Sequence, residues 1–92
     1  MKKSRFRGVI GESAESKVLE LLILGRNLDY TLSDIVEGAK VNRNRAFKIL
    51  KHYIGIGVII KTNEIKKLKT YKINEKSKIV KGLLTVFSEV IK

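Results

Sequence analysis

A mainly helical α+β fold is what this sequence of 92 residues predicts, and three observations predict it. Apolar residues recur at helical spacing in four separate stretches. Two β-branched stretches, 58–61 and 70–73, lie close together before the last of these. Capping residues and glycines punctuate the boundaries. The element order is helix, short strand, helix, helix, β-hairpin and a long C-terminal helix. The length fits one domain, divided into a basic N-terminal arm (1–11), a folded unit (12–74) and a terminal helix (75–92).

The arm holds Lys2, Lys3, Arg5 and Arg7, few large apolar residues, and Gly8 and Gly11. Ser13 is a helix N-cap, and Glu15 sits favourably in the first turn. Ala14, Val18, Leu21 and Leu22 then recur at amphipathic spacing to about Leu24, and Gly25 is a stop. Tyr30-Thr-Leu is a short extended piece. The second helix begins near Ser33, capped by Thr31 or Ser33, and Thr31 with Asp34 fits the capping-box spacing. It turns Ile35, Val36 and Ala39 inward and breaks between Gly38 and Val41. Asn42 caps a third helix reaching about Ile54. Ala46, Ile49, Leu50 and Tyr53 form its apolar face, while Arg43, Asn44, Lys48, Lys51 and His52 lie opposite. Phe47 stands beside the core stripe, either half-buried or free to make an outward apolar contact. Beyond Gly55-Ile-Gly, the strands 58–61 and 70–73 flank a polar, basic connection. Asn74 is expected to cap a last helix over 75–91.

Composition excludes several classes of function. There is no cysteine, and His52 is the only histidine, so thiolate chemistry is excluded and an imidazole metal site is not expected. Glu12, Glu15 and Glu20 have no nucleophile or cofactor motif beside them, and no Gly-rich phosphate loop is present. The expectation is a protein without enzymatic activity, cofactor or metal. No run of about 18 apolar residues spans a membrane, and no apolar stretch follows the basic N-terminus to make a signal peptide. A cytoplasmic location is expected. Hydrophobic residues at 43% argue against global disorder. The net charge of +11 favours a polyanionic partner.

The sequence resembles the winged helix-turn-helix superfamily of transcriptional regulators, especially small archaeal and bacterial members. The residues that carry the resemblance are Tyr-Thr-Leu-Ser-Asp-Ile-Val at 30–36 and Val-Asn-Arg-Asn-Arg-Ala-Phe-Lys-Ile-Leu-Lys at 41–51. Gly-Val-Ile-Ile-Lys at 57–61 and Tyr-Lys-Ile-Asn at 71–74 complete it. Together they cover about 13–77. The resemblance implies that the third helix enters the major groove of duplex DNA and that the hairpin, or wing, lies over adjacent backbone or minor groove. Two positions depart from the usual pattern. Val36 stands where a small residue is common, and Lys40 stands where the turn often has glycine, so that a left-handed conformation there costs a little.

The distribution of charge supports the same reading independently. The arm, the third helix and the hairpin region together carry +12, and the remaining residues −1. Arg43, Asn44 and Lys48, in the first turns of the third helix, suit base edges: arginine pairs bidentately with guanine and asparagine with adenine. Arg45 serves bases or phosphate. Lys51 and His52 lie further along, towards phosphate. Lys61, Lys66, Lys67 and Lys69 of the wing are phosphate clamps, giving affinity and salt dependence without sequence information. The arm cations Lys2, Lys3, Arg5 and Arg7, and the helix start at Thr31 and Ser33, complete the expected DNA-binding set.

The last helix carries a wide apolar stripe of Ile79, Val80, Leu83, Leu84, Phe87, Val90 and Ile91. The stripe is expected to be the seam of a homodimer, which would place two third helices about 34 Å apart on a roughly palindromic site. The expected function is a sequence-specific double-stranded-DNA-binding regulator, a homodimeric repressor acting by occlusion. A weakly specific architectural or DNA-coating adaptor is the alternative. No small-molecule effector is indicated.

Overall fold

In the computed structural model, the described residues are Arg7, 11–65 and 68–90. They form four helices and one hairpin: α1 (Ala14–Leu24), α2 (Leu32–Ala39), α3 (Arg43–Gly55), β1 (Ile59–Ile65), β2 (Leu68–Ile73) and α4 (Lys78–Val90).

The first three helices start where the sequence supplies a side-chain acceptor. Ser13 Oγ accepts from the Ser16 N–H at 3.1 Å. Thr31 and Asp34 form a reciprocal capping box: the Asp34 N–H donates to Thr31 Oγ1 (3.1 Å) and the Thr31 N–H to Asp34 Oδ2 (3.0 Å). Asn42 Oδ1 accepts from the Arg45 N–H at 2.7 Å. Each cap satisfies donors that a helix start otherwise leaves unpaired, worth roughly 1 kcal/mol apiece. Between α2 and α3 the chain reverses at Lys40, whose φ of 56° and ψ of 50° put a lysine in the left-handed region. Only glycine enters that region without strain, so the departure noted at this position carries the expected small cost.

The fourth helix departs from its predicted start. Asn74 does not cap it, because its amide is used elsewhere: Nδ2 donates to the Gly57 carbonyl (2.8 Å) and Oδ1 accepts from the Lys76 N–H (3.1 Å). A turn intervenes, and the helix begins three residues later than expected. Its first turn is closed by the Ser77 carbonyl, which accepts from the Lys81 N–H at 2.9 Å, while Ser77 Oγ accepts weakly from the Val80 N–H at 3.4 Å.

β1 and β2 pair antiparallel from Ile59↔Ile73 to Ile65↔Leu68, with a bulge between Lys61 and Asn63. The strands run further toward the tip than the β-branched segments suggested. Beside the bulge, the Thr62 and Thr70 hydroxyls share a hydrogen bond of 2.8 Å, a polar link that extends the ladder beyond its apolar base. On its other edge β2 meets Tyr30, which exchanges both backbone hydrogen bonds with Tyr71 (2.8 and 2.7 Å). The short strand expected at 30 is thus a one-residue bridge. Gly25 permits it: a Cβ at that position would collide with the Tyr30 ring.

One core joins these elements. Val18, Leu19, Leu22 and Ile23 of α1 meet Ile35 and Ala39 of α2 and Ala46, Ile49 and Leu50 of α3. Val58, Ile59, Tyr71 and Ile73 close it from the hairpin. Val80 and Phe87 of α4 are buried in the same cluster, at 0% and 7% exposure. Both were expected at a seam between chains, yet they are already spent on their own protomer. Lys2, Lys3, Arg5, Lys66, Lys67 and Ile91 lie outside the described residues.

Candidate nucleic-acid interface

The exposed surface of α3 is the centre of the candidate site. A helix advances about 100° per residue. With Ala46, Ile49 and Leu50 buried, Asn44, Lys48 and Lys51 point directly away from the core. Arg43 and Phe47 sit on the flank toward the hairpin, and Arg45 and His52 on the flank toward α1. All seven are exposed.

The hairpin flank opens into a groove of about 310 Å³. It is lined by Thr31, Leu32 and Ser33 at the start of α2, Arg43 and Phe47 of α3, and Leu68, Lys69 and Tyr71 of β2. Arg43 is aimed along it: Nη2 donates to Ser33 Oγ at 2.7 Å. A hydroxyl orients the guanidinium without neutralising it, so its charge and remaining donors stay available to an anion. Ser33 thus serves Arg43 more directly than it would serve a ligand. Thr31 is spent differently from the expectation, since its hydroxyl and its N–H both belong to the capping box. Lys69 stands on the opposite wall, and Lys61 is exposed near the base of β1.

The other flank is compensated. Arg45 Nη2 lies 3.3 Å from both Oε1 and Oε2 of Glu15 in α1. The Glu15 carboxyl is held below its ordinary value, mainly by a backbone hydrogen bond in the first turn of α1; burial opposes this, and the Arg45 charge and hydrogen bond add to the lowering. His52 and Lys48 share a hollow of about 110 Å³ with this pair. Glu15 was missed as part of the site because its partner lies 30 residues away. The signal available was negative: its i+3 and i+4 neighbours, Val18 and Leu19, are apolar and supply no local partner.

Arg7 does not join the α3 surface. Nη1 lies 3.1 Å from Glu12 and Nε 3.3 Å from Glu20, beside Lys17, Leu21 and Leu24 on the outer face of α1. Of the arm cations this is the one described, and Glu12, just before α1, and Glu20 within it hold it.

No protein-family model matches the chain, and no curated protein matches it. Solved structures do. A mutant of S. aureus MepR bound to an oligodeoxyribonucleotide superposes with a TM-score of 0.69 at 11% identity, covering 95% of this chain and 62% of that one. M. tuberculosis Rv0081 gives 0.64 at 18% identity, covering 94% and 81%. Sso10a-2, a DNA-binding protein from Sulfolobus solfataricus, gives 0.60 at 23% identity, covering 82% and 75%. The fold is a winged helix-turn-helix. In its terms α2 and α3 are the helix-turn-helix, β1 and β2 the wing, and the groove at Arg43 the space between α3 and the wing. The chain spans about 62% of the length of MepR.

Proposed function

We propose that the protein is a sequence-specific double-stranded-DNA-binding transcriptional regulator, working as a homodimer at the nucleoid. The observation that carries this reading is the outward stripe of α3, continuous with an uncompensated arginine and a lysine-walled groove against the wing. A duplex presents acceptor-rich base edges between two rows of phosphates, and this surface offers donors in the middle and cations at the sides. Arg43, Asn44 and Lys48 read bases; Lys51, His52, Lys61 and Lys69 hold phosphates, a role also assigned to Lys66 and Lys67. The oligodeoxyribonucleotide carried by MepR and the DNA binding named for Sso10a-2 support the same partner. Occupying a site this way blocks it to other proteins, which makes repression by occlusion the simplest mode.

For the dimer the support is Ile79, 54% exposed on α4, flanked by the half-buried Leu83, Leu84 and Val90. With Val80 and Phe87 committed to the core, the seam is narrower than the full stripe. Ile79→Glu with Leu83→Glu is expected to give monomers in sedimentation while the melting transition persists; a dimer that survives places the seam elsewhere.

The deciding experiment is competition binding at fixed salt. A regulator prefers its selected site over random duplex by about 10³ or more. The net charge of +11 favours a second reading, an architectural or DNA-coating protein, and that reading is adopted if no sequence exceeds random DNA by even tenfold. If Arg43→Ala and Lys48→Ala leave binding unchanged, α3 is not the contact surface and a protein-docking role replaces both.

A further inference from the structure

Phe47 is an unexplained expense of the fold. It is a large apolar side chain, 52% exposed, in the middle of a cationic helix face. It contributes nothing to the buried cluster. It occupies the i+4 position from Arg43 and the i−4 position from Lys51, so the three form one stripe along α3. The Lys51 Nζ lies 6.0 Å from its ring centroid, at the outer limit of a cation–π contact. Across the groove stands Leu68 of the wing, 57% exposed. A solvated face has no use for this pair, whereas burial against a ligand would remove both from water.

We propose that Phe47 is a specificity-determining residue that reads the C5 methyl group of thymine in the major groove. The inference rests on the DNA-binding reading above and names what that surface selects. Base edges in the major groove present hydrogen-bond donors and acceptors, and the thymine methyl is their one apolar feature. Phe47 lies between Arg43 and Lys51, which are suited to a guanine edge and a phosphate respectively, so a ring placed between them meets base edges. Leu68 closes the groove from the wing side and keeps water from the contact. A phenylalanine cannot hydrogen-bond, so it discriminates by the methyl alone.

The test compares two duplexes of about two helical turns, one of alternating adenine and thymine, the other with every thymine replaced by deoxyuridine. Alternating sequence presents a methyl at each step, whatever register the protein adopts. Wild-type protein is expected to bind the deoxyuridine duplex about fourfold more weakly, the worth of one methyl group returned to water. F47A is expected to bind both duplexes equally, near the wild-type affinity for the deoxyuridine duplex, and F47L to keep part of the preference. Because Phe47 is outside the core, the melting temperature of both variants should match wild type, which separates a lost contact from a lost fold. Equal binding of the two duplexes by wild type overturns the inference and leaves the DNA-binding reading standing. So does a preference that survives in F47A, or an F47A loss of the same size on both duplexes, which would mark packing on the sugar backbone. Wild-type protein that binds neither duplex overturns the inference and the DNA-binding reading together.

Discussion

Two hollows flank α2, and they carry opposite charge. The one facing the wing, about 310 Å³, is lined by Arg43 and Lys69 with the hydroxyl residues Thr31 and Ser33. The one on the other side, about 500 Å³, is lined by Asp29, Asp34 and Glu37 around Leu21, Leu28 and Tyr30. Size alone favours the second as a binding site. Chemistry reverses the choice, because three carboxylates repel a phosphate chain that the smaller groove attracts. Within one small domain, a single eight-residue helix thus separates a cationic hollow from an acidic one. On the reading proposed above, this contrast between the two hollows decides which side of the domain meets a duplex.

The largest expected effect tests the cationic side. Arg43→Ala should weaken binding to a selected site by roughly tenfold to a hundredfold in fluorescence anisotropy, the range for loss of one bidentate base contact. Equal loss on random duplex would make Arg43 a phosphate contact instead. Next, Lys61→Ala with Lys69→Ala should weaken binding to every sequence alike and flatten the plot of log affinity against log salt by about 2, one unit for each phosphate contact removed. A loss confined to one sequence would mean that the wing reads bases. On the acidic side, Glu37→Gln should change affinity by less than about twofold, since an exposed charge further than a Debye length of about 8 Å is largely screened. If it strengthens binding as much as Arg43→Ala weakens it, the two hollows do not face opposite ways.

Much of this architecture was legible in the sequence because it is decided locally. The caps at Ser13, Thr31 and Asn42 are short polar side chains placed just before an apolar period, and each bonds within three residues of itself. The left-handed turn at Lys40 was readable as a departure from glycine; Lys40→Gly should accordingly raise stability by about 1 kcal/mol, or roughly 4–8 °C in Tm, with DNA binding unchanged. What escaped the sequence is decided at long range. Asn74 looks like a helix cap, but the Gly57 carbonyl, 17 residues away, claims its amide. Val80 and Phe87 share an apolar stripe with Ile79, and nothing in the stripe says which side of the helix finds the domain's own core. Phe47 lies near the edge of the buried arc, where the groove beside it determines exposure. Arg7 and Arg45 read as free cations until the fold brings Glu12, Glu20 and Glu15 to them.

That last pairing yields a modest effect and the sharpest contrast along α3, since Arg43 and Arg45 begin the same helix yet one faces a hydroxyl and the other a carboxylate. Arg45 must leave Glu15 before it can bind phosphate, and Glu15 opposes any phosphate that approaches. Glu15→Gln should therefore raise DNA affinity at pH 7 by about twofold to fivefold at low salt, an effect that fades as salt screens the exposed charges. The same substitution has a signed consequence for stability. The Glu15 carboxyl is held below its ordinary value of 4.5, so its ionised form stabilises the folded state. That contribution is complete above 4.5 and disappears as the pH falls through the lower folded value. Thermal melts should show wild type slightly above Glu15→Gln at pH 7, with the gap closing in acid. If the gap is constant down to pH 2, the ionised form of Glu15 does not stabilise the folded state, whether through the helix start or through Arg45.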